Sequence, residues 1–330
     1  MQTSAPPLVP DAQRSQRPTL APLAHQPWLF AGALVIALVI ANVTLQGSFL
    51  DPGYWPALLG TLAPFVLVAF ASTIPVLGGG GGIDISVGPL ATFVNCLLVA
   101  TLFAHGLGSP LVAIPILLVV GAAAGCVNGL LVVVGRLQPV IATLATFFVL
   151  SGLALRISPA PVTAGDNWTK ELAGMLGPVP GGLLTMGVPV LIWVALGRTE
   201  FVRNLYAVGG DDVAAFSAGV NVAAVRVGAY VLSGVFATIG GIALTAVIQT
   251  SQASLAATYT LIALAAVSLG GTSLAGGRGG VTGSLLGATS IFLLQESLAA
   301  AGVPTSYVQL VYGLLLIVGV VSSGVASRSR

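Results

Sequence analysis

Residues 56–88 read PALLGTLAPFVLVAFASTIPVL, then GGGGG, then IDISVG, and the order of these three blocks settles the fold class. Residues 56–77 carry no charge and are long enough to cross hydrocarbon, which takes about 20 residues of helix. Five glycines at 78–82 interrupt the run, and Asp84 and Ser86 stand just before the next apolar stretch. Such residues suit a helix N-terminus, where side-chain oxygens accept free backbone N–H groups and a carboxylate meets the positive end of the helix dipole. A charge near membrane depth is also a functional candidate by default. The break then lines a polar passage, its unwound backbone offering hydrogen bonds to a solute. The two readings are compatible.

The rest of the chain repeats this chemistry. Of 330 residues only 6% are charged, 56% are hydrophobic, and the mean hydropathy is +1.03. A soluble fold needs about 25% charged residues, so the chain belongs in a bilayer; its apolar content also excludes disorder. Its 43 glycines and 20 prolines lie largely within the apolar runs, a pattern of close helix packing and broken helices. Cys96 and Cys126 lie inside apolar runs as small hydrophobes, and His25 and His105 are too far apart for a metal pair, so no metal site is expected.

Outward from the glycine break, apolar segments fall at 28–45, 56–77, 89–103, 111–135, 140–157, 179–196, 227–248, 258–269, 280–298 and 307–322. The expectation is an all-α membrane protein with about ten spans (8–10), the third and eighth being short. Residues 1–27 form a polar, proline-rich tail, 28–324 a single membrane domain, and 325–330 a second tail. With both termini inside, Arg14, Arg17, Arg136, Arg198, Arg203, Arg226, Arg278, Arg328 and Arg330 are cytoplasmic; only Arg156 and Lys170 lie outside, as the positive-inside rule prefers. Segments two to five and seven to ten then run in opposite senses, a candidate inverted repeat of the kind transporters use. Gly121, Gly125 and Gly129 in one quartet match Gly279, Gly283 and Gly287 in the other, although such spacing is frequent in any membrane helix.

Enzyme and nucleotide motifs are missing. A phosphate-binding loop needs Gly-Lys-Ser/Thr, and the one lysine, Lys170, follows Thr169. No Gly-x-Ser-x-Gly elbow occurs. This chain is not expected to hydrolyse ATP. Isolated polar residues within spans, Asn95, Asn128, Thr143 and Thr146, usually bond a neighbouring helix. Glu296 reads as a carboxylate near a helix end. In the loop 198–226, Asp211 or Asp212 can start a short helix that Gly219 ends. About two turns are unstable alone in water, and with Phe216 the only large apolar residue there, a protein surface suits this helix better than the bilayer.

Three stretches carry a family resemblance: Gly81-Gly82-Ile83-Asp84-Ile85-Ser86-Val87-Gly88; Asn128-Gly129 through Arg136, Pro139 and Ile141-Ala142-Thr143-Leu144 to Ser151-Gly152; and Asn204-Leu205-Tyr206-Ala207-Val208-Gly209-Gly210 through Gly219-Val220-Asn221. Gly270-Gly271-Thr272-Ser273-Leu274-Ala275-Gly276-Gly277 adds to them. The chain resembles the membrane permease subunits of ribose-type ABC sugar importers. It departs from them at Asp211-Asp212-Val213, where relatives carry Asn-Glu-Glu, and at Ser151, where many carry Arg.

The resemblance implies a permease homodimer in a bacterial inner membrane, an ATP-binding subunit that holds ATP and Mg, and a periplasmic sugar-binding protein. Lipid is a partner and nucleic acid is not. Arg203, Asn204, Tyr206, Gly209, Gly210, Asp211, Asp212 and Gly219 are implied to couple to the ATPase. Asp166, Lys170 and Glu171, in the outer loop, are candidates for binding-protein contact or simply solvated. Sugars need donors and acceptors, and Asp84, Ser86, Asn95, Asn128 and Thr143 are the candidate lining of the path. The alternatives are an ion-coupled sugar carrier using Asp84 or Glu296, or a related permease for a furanone, nucleoside or amino acid.

Overall fold

In hydrocarbon every backbone N–H and C=O must be satisfied within the protein, so apolar runs of this length become helices. The computed structural model describes residues 28–304, 307, 308, 310–314 and 317. The two tails and most of the tenth segment lie outside the described residues.

Among the described residues the first helix, α1 (Trp28–Leu45), lies along α12 (Val281–Ala300). Next come α2 (Trp55–Leu77), α3 (Val87–Cys96) with a π-helical continuation to Phe103, α4 (Pro110–Val133) and α5 (Pro139–Ile157). Proline sits in the opening turn of α2, α4 and α5, where its missing N–H costs no hydrogen bond. A strap at 158–168 leads through α6 (Thr169–Ala173) and a small hairpin, β1 (Met175–Leu176) against β2 (Val179–Pro180), to α7 (Gly181–Leu196). Two short helices follow, α8 (Glu200–Gly210) and α9 (Asp212–Ser217), and then α10 (Val222–Ile248) and α11 (Ala256–Leu269).

Five of these are long and apolar enough to cross a membrane: α1, α2, α4, α5 and α10; α7 and α8 form a sixth candidate bent by 84°. The stretches Val87–Phe103 and Ala253–Leu269 are apolar but shorter. α2 and α10 are the most buried of the five, and α10 packs on α2, α3 and α4. Successive long helices alternate in direction. The turns at 78–86, 134–138, 197–221 and 270–280 therefore share one face, called here the glycine face. The turns at 46–54, 104–109, 158–180 and 249–255 share the other, the strap face.

Nine of the sequence segments fall on these helices with small shifts. The seventh starts at Val222 rather than 227 because the Asn221 side chain accepts the Ala224 N–H and caps α10. Residues 203–210 are helical, although they end in two glycines: Leu205 and Val208 are buried, and Gly209 packs directly on the Leu77 carbonyl and the Gly277 amide. The two glycine rows do different work. Gly121, Gly125 and Gly129 bring α4 against α10, whereas Gly283 and Gly287 bring α12 against α11 and Gly279 packs on Thr272. Matching spacing is thus no sign of matching position in a repeat.

Candidate functional site

Helix α2 ends at the glycine run because glycine alone adopts the conformation needed there at no steric cost. Gly79, Gly80 and Gly81 have φ of 67°, 63° and 73°. A side chain at Gly79 would strike the Gly209 backbone, and the Gly277 N–H donates to the Leu77 carbonyl at 3.1 Å. The ends of α2 and α8 and the 270–280 turn therefore meet backbone to backbone.

The chain then turns inward to Asp84, which is 3% exposed. Its Oδ1 accepts the Ser86 N–H at 2.9 Å and the Ser86 hydroxyl at 2.6 Å, and its Oδ2 accepts the Ser233 hydroxyl at 3.0 Å. The expected cap is corrected here: neither Ser86 nor Asp84 reaches a first-turn N–H of α3, and the carboxylate instead folds back on Ser86. No ion pair forms at Asp84 among the described residues, so three donors and no cation offset its burial. Asn128 Nδ2 donates to Ser86 Oγ at 2.8 Å, and the Thr146 hydroxyl donates to Asn128 Oδ1. One string of side chains thus joins α10, the break, α4 and α5.

Backbone groups of the break are held as well. The Ile85 N–H donates to Thr143 Oγ1 at 3.2 Å, and the Ile85 carbonyl accepts the Thr260 hydroxyl of α11 at 3.1 Å. Asp84, Ser86, Asn128 and Thr143 therefore come together in one buried cluster. Asn95 does not join it. It lies at the far end of α3, where Nδ2 donates to Thr245 Oγ1 and the Thr250 carbonyl, and Oδ1 accepts the Gln252 N–H.

Asn95 marks a second break, at 249–252, between α10 and α11. Gln249 ends α10 in the left-handed region, with φ 51°. The strap closes over it: Ser158 and Ser251 share a hydroxyl bond of 2.7 Å, Ser251 N–H donates to the Val162 carbonyl, and Thr163 bridges Thr250. Asn167 Nδ2 adds a 2.9 Å bond to Gln249 Oε1. Sequence reasoning passed over Ser233, Thr260, Gln249 and Ser251. The signal available was the uninterrupted polar quartet 249–252 between two apolar runs.

Asp166 and Lys170 pair at 2.9 Å on the exposed strap face, and the lysine holds the Asp166 carboxyl below its ordinary range through that hydrogen bond. Glu171 is exposed in α6. Glu296 is not free at a helix end: it is half-buried, and its Oε2 accepts the Tyr54 hydroxyl at 3.4 Å.

On the glycine face the candidate coupling set divides. Arg203, Gly210, Asp211 and Gly219 face outward, and Arg203 makes only a surface pair with Glu200. Asp211 caps α9 through the Val213 and Ala214 N–H groups at 3.0 and 2.9 Å, and Gly219 ends it with φ 86°. That short helix presents Val213 and Phe216, each 72% exposed. Tyr206, Gly209 and Asp212 look inward: Tyr206 donates to the Gly279 carbonyl at 3.1 Å and Asp212 pairs with Arg226 at 2.8 Å. Asn204 is half-buried beside them. Between α9, the start of α10, the α4–α5 corner and the glycine break lies a cavity of about 870 Å³.

A family model described as branched-chain amino acid transport system / permease component matches residues 54–320. The chain is 37% identical to the ribose import permease protein RbsC of Bacillus subtilis (strain 168), over 88% of its own length and 90% of that protein's. It is 33% identical to the Escherichia coli (strain K12) protein of the same name, over 89% and 93% of the two chains. The fructose import permease protein FruG of Bifidobacterium longum (strain NCC 2705) is 31% identical, over 89% of each chain. No solved structure matches.

Proposed function

From the premise that the chain belongs to the branched-chain amino acid transport system / permease component family, we propose that it is the membrane subunit of an ATP-driven importer of a small sugar. It is a multi-pass inner-membrane transporter component rather than an enzyme. Cargo follows the relatives: the family description speaks of amino acids, but the relatives described above, matched along nearly the whole chain, are named for ribose and fructose. The observation that carries the coupling is α9, a capped six-residue helix with Val213 and Phe216 exposed. Such a helix needs a protein surface.

In this reading the glycine face is cytoplasmic. Of the described Lys and Arg residues, Arg136, Arg198, Arg203 and Arg278 lie on its turns and Arg226 near the start of α10 beside them, against Arg156 and Lys170 on the strap side. Residues 28–324 act as one domain, with the tails 1–27 and 325–330 cytoplasmic. Two copies of the permease sit over separate ATPase domains, where ATP and Mg bind; a sugar-binding protein docks on the strap face, near Asp166, Lys170 and Glu171.

Transport is alternating access. Sugar enters when the strap lifts from 249–252 and leaves toward the glycine face. Because Asp84, Ser86 and Asn128 are buried and bonded to one another, and Thr143 accepts the Ile85 N–H beside them, these four serve as the joint that holds the break and face the sugar only when the helices part. Asn95 serves the same purpose at the other break. Arg203, Asn204, Tyr206, Gly209, Gly210, Asp211, Asp212 and Gly219 shape the surface seated on the ATPase.

The second reading, an ion-coupled carrier, draws on one observation, that Asp84 is buried without a cation among the described residues. The test is reconstitution with the ATPase and binding protein. Uptake of ribose or fructose that requires ATP inside the vesicle and survives an uncoupler supports the importer; uptake that follows an ion gradient without ATP overturns it.

A further inference from the structure

The cavity on the glycine face has equipment that sugar transport leaves unused. Its volume of about 870 Å³ suits a small ligand. Its charged lining is Arg136 and Arg226, with no acidic side chain among the lining residues. Arg136 stands at the α4–α5 corner in the left-handed region, φ 52°, and makes no ion pair among the described residues. Arg226 uses one nitrogen on Asp212, and its Nε is buried without a partner.

One turn along α10, Tyr230 lines the same cavity, is 2% exposed, and has a hydroxyl with no partner. Gly80, also in the wall, has a backbone N–H that donates to no carbonyl among the described residues. Buried polar groups are normally satisfied, and Arg226 Nε and the Tyr230 hydroxyl, which stand just behind this wall with no water-accessible surface, are donors that a small side-chain shift offers to an acceptor from outside the chain. Arginine pairs match phosphate oxygens in particular. A neutral sugar is a poor match, because it needs acceptors as much as donors and gains nothing from two cations.

We propose that this cavity binds the phosphate monoester of a small sugar, its phosphate between Arg136 and Arg226, with the Tyr230 hydroxyl and the Gly80 N–H as further donors. The proposal rests on the importer reading for its orientation, since the cavity then opens to the cytoplasm. A reaction of the phosphoryl-transfer class, acting on the imported sugar, supplies the ligand. A bound phosphate ties the α4–α5 corner to α10 and the glycine break, three elements that must separate for sugar to leave. Phosphorylated cargo therefore slows its own import.

The test uses the complex of permease and ATPase in phosphatidylcholine nanodiscs, titrated calorimetrically with ribose 5-phosphate, ribose and inorganic phosphate. The expected result is binding of ribose 5-phosphate, none of ribose, and at least tenfold weaker binding in both Arg136→Gln and Tyr230→Phe. In proteoliposomes, ribose 5-phosphate in the lumen then lowers ATP-driven uptake severalfold, and Arg136→Gln loses that inhibition relative to its own uptake without the ester.

Equal binding of inorganic phosphate overturns the sugar-ester assignment. Displacement by phosphatidylglycerol added to the nanodisc assigns the site to a lipid headgroup and overturns it too. Binding to the permease alone but not to the complex means that the ATPase fills the cavity, again against the proposal. A complex that imports sugar yet binds no ester refutes this site and leaves the transport reading standing. A complex that imports no sugar refutes the transport reading itself.

Discussion

The two breaks in the helical bundle carry out the same task with different materials. At 78–86 the chain uses glycine: three consecutive positive φ angles, backbone packed on backbone, and one buried carboxylate. At 249–252 no glycine occurs; one left-handed glutamine ends the helix, and polar side chains with a covering strap satisfy the exposed backbone. Each short helix also reaches the other's break, Thr260 of α11 bonding Ile85 and Asn95 of α3 bonding Thr250 and Gln252. The difference lies in what covers them. The second break is covered by the strap, whereas the first borders a large cavity.

Substitutions separate these two designs, the largest effect first. Gly79→Ala combines a left-handed φ, which costs about 1–2 kcal/mol, with a clash against Gly209 that adds about 1–3 kcal/mol. It should lower the unfolding temperature in detergent most of all and release the ATPase on co-purification. Alanine at Thr250 or Gln252 should cost less than this; an equal loss would remove the distinction between the breaks.

Asp84→Ala leaves Ser86 and Ser233 without their acceptor, at about 1–3 kcal/mol. ATP-driven uptake should fall strongly while the chain still inserts, and Asp84→Asn, which keeps an acceptor oxygen, should restore part of it. Unchanged uptake in both variants would remove Asp84 from the joint.

Asn95→Ala breaks three bonds at the strap-covered break, each worth about 0.6–2 kcal/mol in a membrane. Faster hydrogen exchange at 158–168 and 249–252, with little change at 78–86, is the expected signature. Exchange rising equally at both breaks would mean that they are not separate units.

Asp166→Ala removes one exposed ion pair, so stability should not change measurably. Weaker stimulation by the binding protein is the effect to look for in an ATPase assay of the reconstituted complex, and its absence would assign Asp166 to solvent.

Much of this was legible in the sequence because hydrocarbon leaves the backbone few choices. The apolar runs gave helices within a few residues, and Asp211 and Gly219 marked the ends of α9 as their capping chemistry requires. What could not be read was which polar residues meet. Asp84 and Ser233 are 149 positions apart, and only the packing of α10 on α3 and α4 brings them together. Asn95 looked equivalent to Asn128, yet the length of α3 carries it to the opposite face. Gly209 was legible as glycine, but its reason, the Leu77 carbonyl against it, is a tertiary fact.

The most direct test of the account is a lock on the strap. Thr163 and Thr250 form an antiparallel bridge, a spacing that suits a disulfide. Thr163→Cys with Thr250→Cys, with Cys96 and Cys126 changed to Ala, can be oxidised in vesicles that contain ATPase, ATP and binding protein. Oxidation should stop sugar uptake and reductant should restore it, with the ATPase still bound. Uptake at the full rate with the bridge closed would contradict it.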